Sequence, residues 1–76
     1  MKESTLKERV ACVVRESPGI SKEQVWEHFK NVRGVERYRV FRALWNLNHS
    51  GVLRVTYDTT PHGFVVNDKW FPGDAE

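Results

Sequence analysis

The spacing of the apolar residues changes at Gly51, and this change constrains the fold more than any other feature of the chain. Before Gly51, apolar residues recur every three or four positions, which is the period of an amphipathic helix. After it, Leu53, Val55 and Tyr57 alternate with polar residues, which is the period of a strand. The pattern predicts helices followed by strands, an α+β architecture.

The first helix is predicted from Leu6 to Glu16. Thr5 and Glu8 have the spacing of a capping box, in which each side chain accepts a hydrogen bond from a backbone N–H at the helix start. The helical pattern ends at Ser17-Pro18-Gly19. The residues that form its apolar stripe are Leu6, Val10, Val13 and Val14.

A second capping box, Ser21-Lys22-Glu23-Gln24, predicts the start of the next helix. Ile20 and Val25 stand where the two partners of a hydrophobic staple belong, so this start is well specified. The pattern breaks at residues 31–34, before four turns are complete. The second helix is therefore predicted to be short.

The third helix is predicted from Val35 to Ser50, with Gly51 as the left-handed residue that follows a helix end. No Ser, Thr, Asp or Asn stands directly before Val35, so Gly34 either caps this helix or ends the previous one. The stripe expected to face the core is Val40, Leu44 and Leu47, with Phe41 beside it.

Two antiparallel strands are predicted after Gly51. They are Leu53–Tyr57 and Phe64–Val66, joined by the loop Asp58–Gly63, which is longer than a tight two-residue turn. Trp70 and Phe71 are large enough to pack back on the helices. Residues 1–71 are thus expected to form a single domain, with an acidic, frayed tail at 72–76.

The cellular setting is indicated by what the sequence lacks. Cys12 is the single cysteine, so an internal disulfide is excluded and the chain fits a reducing compartment. There is no apolar stretch of about 18 residues for a membrane span, and no signal-peptide pattern at the start. We expect a cytoplasmic protein with no membrane partner.

Positive charge is concentrated in the middle of the sequence. The chain as a whole carries a net charge of only +2, but residues 30–57 hold six Lys and Arg against Glu36 alone, a local charge of +5. Such polarity is typical of a protein that binds a phosphate backbone with one face. A solvated, arginine-rich helix face would give the same charge count, so the order of helices and strands is needed to distinguish it from a nucleic-acid-binding face.

The order of three helices followed by a hairpin resembles that of a known family of domains. The run Val40–Leu53 contains Leu44-x-x-Leu47-x-x-x-Gly51-x-Leu53, which resembles the recognition helix and first wing strand of winged helix-turn-helix domains. The resemblance covers about Thr5 to Val66, with Ile20 as the short extended link between the first two helices. It implies a winged-helix fold of three helices and a two-stranded antiparallel wing, with the third helix in the DNA major groove and the wing on the backbone. In its small size the chain also resembles the compact regulators of phages and plasmids.

The side chains opposite the core stripe of the third helix are suited to reading bases. Arg39 and Arg42 can each form a bidentate pair with guanine, and Asn46 with adenine. These three are the predicted base contacts. The predicted backbone contacts surround them or lie on the wing, and they are Lys30, Arg33, Arg37, Tyr38, His49, Arg54, Thr60 and His62.

Other functions stay open or are disfavoured. The predicted function is sequence-specific binding of double-stranded DNA in transcription regulation. The main alternative is a winged helix that binds a protein partner or a second copy of itself. RNA binding ranks third. The chain has no glycine-rich phosphate loop and no metal-ligand spacing among His28, His49 and His62, so no enzyme activity, metal, cofactor or small-molecule ligand is expected. Trp45 is predicted to fill the core beside Trp26, with stacking on a sugar or a partner surface as the alternative.

Overall fold

The computed structural model describes residues 2–73. In that range it contains three helices and two strands: α1 (Glu3–Glu16), α2 (Lys22–Glu27), α3 (Arg37–His49), β1 (Leu53–Thr59) and β2 (Val65–Pro72). The two strands form one antiparallel sheet. The predicted class, three helices followed by a two-stranded antiparallel sheet, is therefore confirmed.

The start of α1 differs from the prediction. The helix begins at Glu3, three residues before the predicted start, and its N-cap is Lys2, which makes no side-chain capping bond. The amide of Leu6 already donates to the carbonyl of Lys2 at 2.9 Å, so Thr5 lies inside the first turn and the capping box predicted there is wrong. The negative charge of Glu3 favours this earlier start because it faces the positive end of the helix dipole.

The start of α2 agrees with the prediction. The Ser21 hydroxyl accepts from the amide of Gln24 at 3.2 Å, and the Gln24 side chain accepts from the amide of Ser21 at 3.1 Å. Both reciprocal bonds of the capping box are thus present. The two staple residues, Ile20 and Val25, are buried in the same core cluster.

The third helix begins two residues later than predicted. Val35 is buried in the core, and Glu36 is extended and acts as the N-cap without a side-chain bond. Gly34 has a φ of +81°, so this glycine ends the preceding turns and does not cap α3. The helix starts late because the backbone is non-helical at both Gly34 and Glu36, while Val35 between them packs into the core.

The end of α3 is fixed by backbone hydrogen bonds around Gly51. Gly51 has a φ of +83°, the left-handed conformation that the sequence predicts. Its amide donates to the carbonyl of Asn48 at 3.1 Å, and the amide of Val52 donates to the carbonyl of Leu47 at 3.0 Å. This pair of bonds is the Schellman motif, and it directs the chain from α3 into β1.

The core lies between α1, α3 and the base of the hairpin. Its largest fully buried side chain is Trp70 on β2, which is 1% exposed. The predicted stripes of the first and third helices contribute to it, together with the predicted staple residues Ile20 and Val25. The buried residues are Leu6, Val10, Ala11, Val14, Ile20, Val25, Phe29, Val35, Val40, Ala43, Leu44, Leu47, Leu53 and Trp70.

The hairpin is longer than predicted, and β2 is displaced along the chain. Phe64 lies outside β2, and the strand continues through Trp70 and Phe71 to Pro72, which pairs with Leu53. The amide of Gly73 donates to the carbonyl of Val52 at 2.8 Å, so order extends past the predicted domain end at Phe71. The remainder of the predicted acidic tail, residues 74–76, lies outside the described range.

Backbone hydrogen bonds at Ile20 and Gly19 connect the hairpin to the segment between the first two helices. The amide of Trp70 donates to the carbonyl of Ile20 at 2.8 Å, and the amide of Gly19 donates to the carbonyl of Trp70 at 2.8 Å. The short extended link between α1 and α2 therefore pairs with the base of β2. Farther from this pairing, the hairpin leaves the core: Leu53 is buried, Val55 is half-buried, and Tyr57 is 44% exposed.

The longest helix in residues 2–73 is α1, with 14 residues. None of the helices described there combines the length and the apolar character needed to cross a bilayer.

Candidate nucleic-acid interface

One side of α3 faces solvent along its whole length. The core residues of α3 lie on the opposite side, as the 3.6-residue period predicts. Residues 37–49 contain three Arg and one His and no Asp or Glu. The exposed side chains of this face, which we call the α3 face, are Tyr38, Arg42, Trp45, Asn46 and His49.

Arg42 lies at the centre of the α3 face and is held from two sides. Its guanidinium forms an ion pair with the carboxylate of Glu3, at the start of α1, and lies over the ring of Tyr38 at 5.7 Å from the centroid. Both members of the ion pair are about half exposed, with side-chain exposures of 52% and 48%. Arg42 is thus extended across the surface while solvent, or a ligand, can still reach it.

Arg39 differs from the other predicted base-contact residues. It is half-buried, and its Nη1 donates to the carbonyl of Gly34 at 2.7 Å. The side chain therefore folds back toward the turn before α3. Of the three predicted base contacts, the structure brings Arg42 and Asn46 together on the exposed face and places Arg39 at its edge.

The predicted backbone contacts near α2 are already engaged with neighbouring side chains. Arg37 pairs with Glu23 on α2 and lies over the ring of Phe41 at 5.2 Å. Lys30 pairs with Glu27 at 2.6 Å, and both side chains are about half exposed. Arg33 is exposed in the turn between α2 and α3. Arg37 is the first residue of α3, and Lys30 and Arg33 lie in the segment between α2 and α3.

The predicted contacts on the hairpin lie in two separate places. Arg54 is exposed near the base, with its guanidinium 5.9 Å from the ring centroid of Phe71. Thr60 is at the tip, where its hydroxyl accepts from the amide of Phe64 at 3.1 Å and its own amide donates to the Phe64 carbonyl at 2.8 Å. His62 is exposed at the tip. Since residues 59–67 contain no Lys, Arg, Asp or Glu, the tip carries no permanent charge.

The prediction that Trp45 fills the core is wrong. Trp45 is 42% exposed, and its ring meets the buried ring of Trp70 edge to face, with centroids 5.6 Å apart at an angle of 81°. The ring of His49 is 6.5 Å from it, one turn along α3. The neighbour of Trp45 comes from the hairpin because the base of β2 occupies the space beside α3. Trp45 therefore joins the α3 face as an aromatic surface.

Sequence reasoning missed Glu3 as part of this site. An acidic residue in the first turn of a helix is ordinarily explained by the helix dipole, and its partner Arg42 is far away in the sequence. Only the packing of α1 against α3 brings the two charges together. No sequence signal separates this glutamate from the other exposed acids of α1.

The described residues offer little for metal or nucleophilic chemistry. Within residues 2–73, no three His, Cys, Asp or Glu side chains are grouped so that they could hold a metal ion. Cys12 is exposed on α1, where its thiol donates weakly to the Glu16 carboxylate at 3.7 Å. What the arrangement provides is a surface of cations, amides and rings, which suits binding to another macromolecule.

Comparisons of the chain with protein-family models, with curated proteins and with solved structures gave no match.

Proposed function

We propose that this chain is a winged-helix protein that binds specific sequences in double-stranded DNA, with α3 in the major groove and the hairpin as a wing on the backbone. Its role would be that of a small transcriptional regulator. The observation that carries the proposal is the α3 face, on which Arg42 and Asn46 are exposed one turn apart in a helix without acidic residues.

The residue types of this face match the base edges of the major groove. A guanidinium can donate two hydrogen bonds to guanine O6 and N7, and an amide can both donate and accept with adenine N6 and N7. Arg42 and Asn46 are four positions apart on α3, so their side chains lie side by side on one face. An α-helix has the diameter to enter a major groove about 12 Å wide.

The ion pair between Arg42 and Glu3 does not prevent this use of Arg42. Exposed ion pairs stabilise proteins by about 0–1 kcal/mol, whereas a good bidentate contact with the correct base contributes about 1–3 kcal/mol of discrimination. The base contact is therefore favoured over the ion pair when the correct guanine is present. The same argument applies to Arg37 and Lys30, whose pairs with carboxylates can be exchanged for contacts with phosphates.

The order and pairing of the elements also support the proposal. Three helices precede the hairpin, and Ile20 connects the base of the hairpin to the link between α1 and α2. This connection fixes the hairpin next to α3, since Trp70 pairs with Ile20 and its ring contacts Trp45. A protein with this layout can present a helix and a hairpin to the same duplex.

The test begins with selection of preferred duplexes from a random library by the intact chain. Affinity for a selected duplex and for a scrambled one is then measured by fluorescence anisotropy over a series of salt concentrations. We expect tighter binding to the selected duplex, with an affinity that falls steeply as salt rises. Amide chemical shifts should change along α3, in the turn at Arg33 and on the hairpin.

Two results would contradict the proposal. One is the absence of any binding at low salt, and the other is shift changes confined to α1. A matched pair of variants removes one charge each: Arg42→Ala on the α3 face and Arg9→Ala on the exposed side of α1. DNA binding through α3 requires the first variant to weaken affinity far more than the second.

A protein-interaction module is the second candidate, and the hairpin tip favours it. Phe64, Val65 and Val66 are 69%, 62% and 54% exposed, and this part of the hairpin has no cations for phosphate. Exposed apolar clusters are typical of contacts with proteins. This candidate gains support if the DNA titration fails.

A further inference from the structure

The outer part of the hairpin carries an apolar surface that neither the helices nor the proposed DNA contacts use. It consists of Tyr57, Phe64, Val65 and Val66, which we call the tip patch. Each of these side chains is between 44% and 69% exposed. Burial in the core ends near Val55, so the tip patch adds nothing to the packing of the three helices.

A bulge in β2 helps to form the tip patch. Asp58 pairs with Asn67 and Thr59 pairs with Val65, so Val66 is an extra residue without a partner on β1. A bulge interrupts the strict alternation of side chains between the two faces of a hairpin. Here Val65, Val66 and Tyr57 all line the same groove, which separates the hairpin from the start of α2.

The most exposed ring of the tip patch is next in sequence to the valines that line the groove. The groove has a volume of about 340 Å³, and its opposite wall is formed by the first residues of α2, including Lys22 and Glu23. Phe64 directly precedes Val65 and is the most exposed of the large apolar side chains in the described range. The outer hairpin thus carries an exposed ring next in sequence to a residue that lines a recess.

We propose that the tip patch is a homodimer interface, in which Phe64 of each copy enters the groove between hairpin and α2 of the other. A two-fold interface brings the same surface of both copies together, so it requires a surface that is complementary to itself. An exposed ring and a recess on the same hairpin can satisfy this requirement when two copies meet. This inference does not depend on DNA binding.

Charge is compatible with a second copy as the occupant. In a two-fold contact, identical surfaces meet, and a surface with net charge would repel its copy. Residues 59–67 have no charged side chains, and the charged residues that line the groove are Lys22, Glu23 and Asp68. The Asp68 carboxylate already accepts hydrogen bonds from the Trp70 indole and the Lys22 amide. The two copies can therefore meet without like charges at the centre, while Lys22 and Glu23 form a polar rim.

The exposed apolar area of the tip patch is similar to the apolar area that one partner buries in a dimer interface. Large aromatic side chains bury about 150–250 Å² each when fully covered, so the tip patch offers on the order of 400 Å² per copy at the exposures observed. A standard interface buries about 800 Å² per partner, and somewhat more than half of it is apolar. The tip patch supplies that apolar share, and the groove rim supplies polar area. We therefore expect a dimer that dissociates on dilution.

The test is sedimentation equilibrium of the intact chain without DNA, over a wide range of protein concentration. We expect the mass to rise from the 8.9 kDa of one chain toward that of two as concentration increases. Phe64→Ser should raise the dimer dissociation constant about tenfold or more, since both copies lose their central ring. Val66→Lys should do the same, because it places like charges at the centre of the contact.

The matched control is Tyr38→Ser, which removes an exposed ring, 57% accessible, from α3. It should leave the dissociation constant unchanged. In a sample of mixed isotope labelling, nuclear Overhauser effects are expected between the Phe64 ring of one copy and the Val65 and Val66 methyl groups of another. A mass of one chain at every concentration would overturn the proposal, as would equal weakening by Tyr38→Ser and Phe64→Ser. Thermal melts of the variants show whether each is folded, and the exposed positions should leave the melting temperature unchanged.

Discussion

The carboxylate of Asp68 accepts a hydrogen bond from the indole N–H of Trp70 at 2.6 Å. The same oxygen accepts from the backbone amide of Lys22, in the first turn of α2, at 2.8 Å. Asp68 thus satisfies the polar atom of the most buried aromatic residue and connects β2 to α2. A buried indole N–H without a partner would cost free energy, so this one carboxylate supports the packing of the hairpin base.

The first prediction concerns this connection. Asp68→Ala should lower stability by about 1–3 kcal/mol, because it leaves the Trp70 N–H without an acceptor. The melting temperature should fall by roughly 4–8 °C per kcal/mol in a domain of this size. Asp68→Asn should lower stability less, since the amide oxygen keeps two acceptor lone pairs and loses only the charge that strengthens the bonds. The control is Asp58→Ala, which removes an exposed partner of Lys69 and should change stability by less than about 1 kcal/mol. Equal melting temperatures for Asp68→Ala and Asp58→Ala would contradict the prediction.

The second prediction concerns the connection from α3 to β1. Gly51→Val places a β-branched residue at a φ of +83°, which L residues other than glycine adopt at a cost. We expect a loss of about 1 kcal/mol or more, seen as a melting temperature lower by several degrees. Gly51→Asn is the matched variant, because asparagine tolerates this conformation, and its loss should be smaller. The prediction fails if the two variants melt at the same temperature.

The third prediction separates base reading from backbone binding. Arg42→Ala or Asn46→Ala should weaken binding to the selected duplex by about 1–3 kcal/mol and weaken binding to scrambled DNA much less. Arg33→Ala should weaken both alike and reduce the slope of log affinity against log salt by about one unit. Anisotropy titrations on the two duplexes measure both quantities. Parallel losses for all three variants would remove the base-reading role from α3.

The fourth prediction concerns Glu3, the partner of Arg42. In scrambled DNA, Arg42 can contact only a phosphate or a mismatched base, and such a contact competes poorly with the ion pair to the Glu3 carboxylate. The correct guanine accepts two hydrogen bonds from Arg42 and competes better. Glu3→Gln should therefore increase affinity for scrambled DNA more than for the selected duplex, and lower the ratio of the two. Glu8→Gln removes the same charge from another exposed position on α1 and controls for the general electrostatic effect. If both glutamine variants change the ratio equally, Glu3 acts only through its charge.

The features of the fold that depend on local chemistry could be predicted from the sequence. The capping box at Ser21, the left-handed Gly51 and the core stripe of α3 are each determined by residues within a few positions of one another. The start of α1 is the exception, because the local charge of Glu3 favours an earlier start than the Thr5 pattern predicts. The misplaced bounds of β2 have distant causes. The β-propensity of Phe64 predicts a strand there, but the register of β2 is set by the burial of Trp70 and by its pairing with Ile20.

The candidate site was predictable to a similar extent. The periodicity of α3 correctly put Arg42 and Asn46 on the side away from the core, because a helix wheel needs no tertiary information. It could not show that Arg39 folds back to the Gly34 carbonyl or that Trp45 remains accessible next to Trp70. Those arrangements depend on the turn before α3 and on the path of β2, which no local pattern specifies.

The pairing of Ile20 with Trp70 has a consequence for how the chain folds. The two residues come from early and late parts of the sequence, so their contact closes a long loop and forms only after much of the chain is in place. Neither the helices nor the hairpin contains the whole core, since Trp70 completes the packing begun by α1 and α3. The described chain should therefore unfold in a single cooperative transition, and a fragment that ends at Gly51 should lack stable tertiary structure.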